Sequence, residues 1–209
     1  MHIRCIIWVS ASLLLLLSCQ NQPGLPVLSK EKTVEGKTVY ETIPNFRFLN
    51  QDSQWVTPQT FAGKAYVADF FFTSCPTICP IMTKNMLELY REFEGESRLR
   101  FLSHTIDPAR DSVARLKAYA SNIGVDDQRW HFVTGKKDSL YAIADDYFNV
   151  VIEDPNLPDG FDHSGRFVLV DPQGHIRAYC NGTKAEEVQS FKEDIKTLLN
   201  EMEDTAPNR

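Results

Sequence analysis

Basic charge is scarce in this 209-residue chain: 22 Lys and Arg stand against 28 Asp and Glu, a net charge of −6. Nucleic-acid binding draws its affinity from neutralised phosphates, so this acidic balance argues against a nucleic-acid partner. Cysteine and histidine are scarce too, five of each. A closed four-ligand zinc site needs several of them clustered at fitting spacing, and the chain offers few. No internal repeat and no low-complexity block is present. The apolar run Ile6 to Leu17 is too short for a comfortable membrane-spanning helix, which needs about 20 residues. What remains is an ordinary globular composition, 43% hydrophobic, with length for one domain and its appendages.

The two ends are appendages. Arg4 and the apolar run after it read as an export signal over residues 1–18. Leu16-Leu17-Ser18-Cys19 resembles the lipobox of bacterial lipoproteins, which implies cleavage before Cys19 and a lipid on that cysteine. The soluble part is then expected on a bacterial membrane, in the periplasm, where thiols tend to be oxidised. Residues 19–38 are polar, carry Pro23 and Pro26, and read as a flexible tether. A folded domain is expected over 39–203, with a disordered tail at 204–209. Cys5 leaves with the signal and Cys19 is taken by lipid, so Cys75, Cys79 and Cys180 remain.

Strand and helix patterns alternate along the domain. A small N-terminal β-hairpin is expected from Phe46–Leu49 and Trp55–Val56, turning at Gln51-Asp52-Ser53. Tyr66–Phe72, Arg100–Ile106 and Trp130–Val133 read as strands. Helices follow them, with apolar faces at Met82, Met86, Leu89 and Tyr90, at Val113, Leu116, Ala120 and Ile123, and at Leu140, Ile143, Ala144 and Tyr147. Asp111 or Ser112 caps the second helix. Val150–Ile152 is a short strand, and Glu153 to Gly165 is a loop rich in Pro, Asp and Gly. Phe167–Val170 and His175–Tyr179 form a hairpin about Asp171-Pro172-Gln173-Gly174. A helix from Glu186 to Met202 closes the chain. The alternation implies an α/β sheet with helices on both faces.

The chemistry centres on Tyr66–Pro80. An apolar, aromatic strand runs directly into Cys75-Pro76-Thr77-Ile78-Cys79-Pro80, and a helix begins there, with Pro80 suited to its first position. Helix N-termini stabilise negative charge, so thiols placed there tend toward thiolate, the form that attacks disulfides and binds metals. Three intervening residues rather than two depart from the thioredoxin-type redox motif. Two thiols on one turn are half of a soft-metal site. Met82 and Met86 share the helical spacing but read as core filling. His104 and His131 lie in strand-like runs and read as structural, and His175, at a hairpin turn, as solvated. Cys180 reads as a structural or semi-exposed thiol. A peroxiredoxin pattern is absent: the positions that should be Pro and Thr are Ala68 and Phe72 for Cys75, and Phe72 and Pro76 for Cys79.

Four separated segments, in order, are similar to the Sco/SenC family: Phe72–Pro80, Ile106-Asp107-Pro108-Ala109-Arg110-Asp111, Trp130–Gly135, and Asp162-His163-Ser164 before Phe167–Asp171. The similarity runs from about Ile43 to Met202. It implies a thioredoxin-like fold, here with an N-terminal β-hairpin extension and an inserted helix and strand. It implies a membrane-tethered metallochaperone for the copper site of cytochrome c oxidase. The implied ligands of one copper ion, Cu(I) or Cu(II), are Cys75, Cys79 and His163, with Asp162 and Asp107 as outer partners. Where thioredoxin-like oxidoreductases place a proline facing their cysteines, this chain has His163-Ser164-Gly165. That exchanges a peptide-docking element for an imidazole, and a Cys2His set suits copper. The implied partner is a membrane-bound oxidase subunit or another copper chaperone. The alternative is an exported thiol–disulfide oxidoreductase that uses Cys75 and Cys79 as a redox pair, closing to a Cys75–Cys79 disulfide, without bound copper.

Overall fold

The computed structural model describes residues 24–125, 128–153 and 161–204, with backbone alone at 153, 162 and 163. The expected signal, Cys19 and the tail residues 205–209 lie outside the described residues. The core is a seven-stranded sheet. Third in its order is the inner strand β5 (Ala65–Phe71), buried at every position. The parallel strands β6 (Leu99–Thr105) and β7 (Trp130–Thr134) lie to one side; to the other lie β10 (Arg166–Val170), antiparallel to β5, and then β11 (Ile176–Asn181), antiparallel to β10. The expected N-terminal hairpin, β3 (Phe48–Asn50) and β4 (Trp55–Val56), extends the sheet beyond β7. The Asn50 side chain closes its turn by accepting from the amides of Asp52 and Gln54.

Parallel strands need crossovers, and two helices supply them: α1 (Cys79–Glu92) between β5 and β6, and α2 (Val113–Asn122) between β6 and β7. Tyr90 of α1 packs on Phe101 and Trp130, and Tyr119 of α2 on Phe71 and Phe132. On the other face Tyr147, just beyond α3 (Lys137–Asp146), meets Tyr66, Phe70 and His104. Side chains alternate along a strand, so Phe71 and Phe70 point to opposite faces and the sheet is covered on both. α4 (Ala185–Asp204) buries Val188, Phe191, Ile195, Leu198 and Leu199. The second helix is capped by Ser112, whose hydroxyl accepts from the Arg115 amide, and Asp111 is released for another role.

Two expectations are corrected. The stretch expected to be a flexible tether is docked from residue 24 onward. Leu28 donates its amide to Ile176 O at 2.8 Å, and Ser29 Oγ accepts from the Ile176 amide at 2.9 Å. The Arg177 guanidinium holds the carbonyls of Leu25 and Pro26 and the Glu201 carboxylate. Two further strands, β1 (Glu31–Val34) and β2 (Lys37–Tyr40), pair about Glu35 and Gly36, both at positive φ. Such a pair of residues makes the two-residue hairpin turn that matches strand twist. Neither strand buries an apolar face, so the polar sequence carries no alternation to reveal them. Second, the expected loop from Glu153 to Gly165 contains a strand: β9 (Phe161–His163) pairs with β8 (Val151–Glu153).

His104 is fully buried among the rings of Phe46, Phe48, Phe70 and Tyr147, and its Nε2 has no hydrogen-bond partner among the described residues. Burial lowers its pKa from 6.5 to about 3. The unfolded chain therefore takes up this proton first as pH falls. The stability tied to the neutral ring is complete above pH 6.5 and is lost progressively toward pH 3. Urea unfolding at pH 6.5 and 4.5 should show wild type losing about 2 kcal/mol more than His104→Leu across that interval. Equal losses in the two proteins would refute the assignment.

Candidate metal site

The polypeptide leaves β5 at Phe71 and turns at once. The Cys75 amide donates back to Phe72 O at 3.2 Å, which aims the Cys75 sulfur at the start of α1. Cys79 is the first residue of that helix and Pro80 the second, one position later than expected. The first amides of a helix have no partner within it. The Cys79 amide donates to Cys75 Sγ at 3.4 Å, and Thr77 Oγ1 lies 3.5 Å from the same sulfur. Cys75 and Cys79 are both reduced, with no disulfide between them, and are 8% and 3% exposed. A groove of about 500 Å³ between α1 and α2 reaches them, walled by Phe72, Thr83, Leu87, Tyr119 and Ile123.

The helix N-terminus is not the dominant influence on the second thiol. A hydrogen bond with Cys75, and then burial, hold the Cys79 thiol far above its ordinary pKa. Cys79 therefore keeps its proton and shares it with the neighbouring sulfur. This corrects the expectation that the helix end makes both cysteines thiolate-prone.

His163 lies on β9, with Val151 opposite it in register. The side chains of His163 and Asp162 lie outside the described residues. The backbone around them is anchored on the cysteine turn from both sides. Before His163, the Phe161 ring stands 4.9 Å from that of Phe72. After it, Ser164 exchanges hydrogen bonds with Val150 and donates to Asn149. Gly165 then comes so close to α1 that a Cβ there would stand 3.1 Å from Ile78 Cδ1 and 3.5 Å from Met82 Sδ. Its φ of +63 also requires glycine. Asn85 of α1 completes the tie by donating to Gly182 O, while the Gly182 amide donates to Gly165 O. The carrier of His163 is thus a braced ribbon rather than an open loop.

The remaining candidates fall into place around this turn. Asp107 is buried at the end of β6; Thr105 Oγ1 accepts from its amide, and Arg110 forms an ion pair with its carboxylate at 3.1 Å. Met82 and Met86 are core residues, as expected from their spacing. His131 is a buried structural histidine beside Asn50. His175 is not freely solvated: its Nδ1 lies 3.5 Å from Asp171 Oδ2, at a side-chain exposure of 24%. Cys180 is buried, and burial pushes its thiol up to about 12. Among the described residues no three His, Cys, Asp or Glu side chains cluster closely enough to hold a metal ion. The described donors for a soft ion are thus two sulfurs.

One contact escaped the sequence pattern. Asp111, wholly buried, accepts from the amide and hydroxyl of Thr73, two residues before Cys75, and from the Thr105 hydroxyl. Its partners lie 38 and 6 residues away, and spacing cannot reveal such a contact.

Alkylation with iodoacetamide at pH 8, resolved by residue in a mass spectrometer, should find Cys79 slower than Cys75 in the reduced protein. In Cys75→Ala the largest cause of the raised pKa is gone. Cys79 should then react faster, by about tenfold for each pKa unit recovered. A wild-type Cys79 that outpaces Cys75 would contradict the hydrogen-bonded arrangement.

A family model described as SCO1/SenC matches residues 34–200, beginning within the β1–β2 hairpin. The SCO1 protein homolog of Bacillus subtilis is 33% identical over 160 residues, 76% of this chain and 82% of that one. The solved structure of BsSco, described as a member of the Sco family of cytochrome c oxidase assembly proteins, is similar with a TM-score of 0.67 and 30% identity, over 76% of this chain and 94% of that one. Yeast Sco1 with copper bound is similar with a TM-score of 0.61 and 26% identity, over 80% and 96% of the two chains. With its thioredoxin-like α/β fold and its paired cysteines at the head of α1, this chain belongs to the SCO1/SenC family.

Proposed function

We propose that this protein is a copper chaperone that helps assemble the copper site of a respiratory cytochrome c oxidase, with copper as its cargo. The observation that carries this reading is the pairing of two adjacent reduced thiols with a ribbon braced against their turn that bears His163. The relatives support it: one is described by its role in oxidase assembly, and another holds copper. Cys75, Cys79 and His163 are the proposed ligands, and Asp162 and Asp107 their outer partners. Two sulfurs and an imidazole form a soft set suited to copper, and three donors leave the ion open to ligand exchange. Cys79 must release the proton it shares with Cys75 before both sulfurs can donate, so loading liberates protons. The lipid on Cys19 and the placement of the domain outside the cytoplasm belong to the same proposal. They would keep donor and acceptor at one membrane surface and raise their effective concentration.

The hydrogen-bonded thiol pair also favours a second step. An acceptor disulfide would be reduced to two thiols as Cys75 and Cys79 are oxidised to one disulfide, a balanced two-electron exchange. The Cys79 amide is aimed at Cys75 Sγ and favours negative charge there, so Cys75 is the attacking sulfur and Cys79 resolves the mixed disulfide. An oxidised acceptor must be reduced before it can take metal, so the two activities are successive parts of one task.

An anaerobic Cu(I) titration of the reduced domain should give one copper per chain. His163→Ala should weaken binding by at least the roughly 10–100-fold that loss of an outer partner costs a metal site. Equal binding by wild type and variant would remove His163 from the site. No binding by either would leave the reductase reading, to be measured as disulfide reduction lost in Cys75→Ser and Cys79→Ser.

A further inference from the structure

The Asp111 carboxylate is buried completely and carries a dense set of contacts. Oδ2 accepts from the Thr73 amide at 3.1 Å and from Thr105 Oγ1 at 2.6 Å. Oδ1 accepts from Thr73 Oγ1 at 2.5 Å and lies 3.5 Å from Arg115 Nε. The Arg115 Nε also donates to Thr73 Oγ1 at 2.5 Å. Thr73 stands in the turn that carries Cys75, and Thr105 closes β6. Thr105 Oγ1 in turn accepts from the Asp107 amide. One carboxylate therefore ties the cysteine turn, the end of β6 and the Asp107 turn together.

Only a carboxylate meets this demand. A group that can only donate faces each oxygen, the Thr73 amide at Oδ2 and Arg115 Nε at Oδ1, and a carboxylate offers about four acceptor sites and no proton. An Asn at the same place would turn its amide N–H₂ toward either the Thr73 amide or Arg115 Nε, and a buried unmatched donor is expensive. For capping alone this investment is unnecessary, because Ser112 already serves the helix end.

We propose that Asp111 is the positioning residue of the site: it holds Thr73, and through it Cys75, in register against the end of β6. It does not touch the cargo. It keeps the Cys75 sulfur where the Cys79 amide and thiol can reach it, and it limits opening of the turn toward the groove. The affinity arm of the test rests on the copper reading above; the reactivity arm does not.

The test compares reduced wild type, Asp111→Asn, Thr73→Val and, as a distant control, Glu201→Gln. Thr73→Val removes the hydroxyl arm of the clamp from a partly exposed position, so it serves if Asp111→Asn fails to fold. Glu201→Gln loosens the contact with Arg177 far from the cysteines. Three quantities are read: urea midpoint, iodoacetamide alkylation of Cys75, and Cu(I) affinity against a competing chelator. Both clamp variants should alkylate faster at Cys75 and bind Cu(I) about tenfold more weakly. Glu201→Gln should lower the urea midpoint and leave both cysteine readouts at wild-type values. A purely structural Asp111 would lower the midpoint alone, and wild-type alkylation and affinity in both clamp variants would overturn the proposal. If wild type bound no Cu(I), the copper reading would fail, and the alkylation comparison would still decide the clamp.

Discussion

A central strand buried on both faces must surrender its chain to a turn at its end, and every polar group in that turn needs a partner. At the C-terminal end of β5 this requirement shapes everything nearby. Phe72 O takes the Cys75 amide, Cys75 Sγ takes the Cys79 amide, and Asp111 takes both donors of Thr73. The sulfurs are therefore part of the backbone's own hydrogen-bond accounting. Chemistry at this turn cannot be separated from the way the fold closes β5.

Two influences compete at Cys79. The helix N-terminus favours a thiolate, and such an effect is worth about 0.3–1 kcal/mol near the surface. Burial and a neighbouring sulfur that accepts the proton favour the thiol, and they prevail. The consequence is asymmetry between two identical side chains. One sulfur gathers hydrogen bonds and the other supplies them, and that division of labour suits both metal loading and disulfide exchange.

The molecule keeps its two polar systems apart. Val170 pairs with both Tyr66 and Ile176, so the docked segment around Leu28 sits at the N-terminal end of β5. The cysteines are at the other end. The Arg177 cluster and the strap it holds therefore leave the groove between α1 and α2 uncovered. The ribbon that carries His163 is likewise tied to β8, to Phe72 and to Ile78, at the end of β5 where the cysteines stand.

Local pattern was enough for the elements with an apolar period. The strand before the cysteines, the helix after them, the hairpin about Asp171 and the final helix all announce themselves through alternation, helical spacing or turn residues. The motif order was likewise sufficient for the family and for the cysteine pair. The β1–β2 hairpin stayed hidden because both its faces are exposed and so carry no hydrophobic signal. Strand β9 stayed hidden because a three-residue pairing in a Pro- and Gly-rich stretch has no period to detect. The protonated state of Cys79 and the Asp111 clamp were decided by tertiary structure alone. Burial and hydrogen bonds between residues as far as 38 positions apart depend on where the chain returns, and no one-dimensional spacing encodes that.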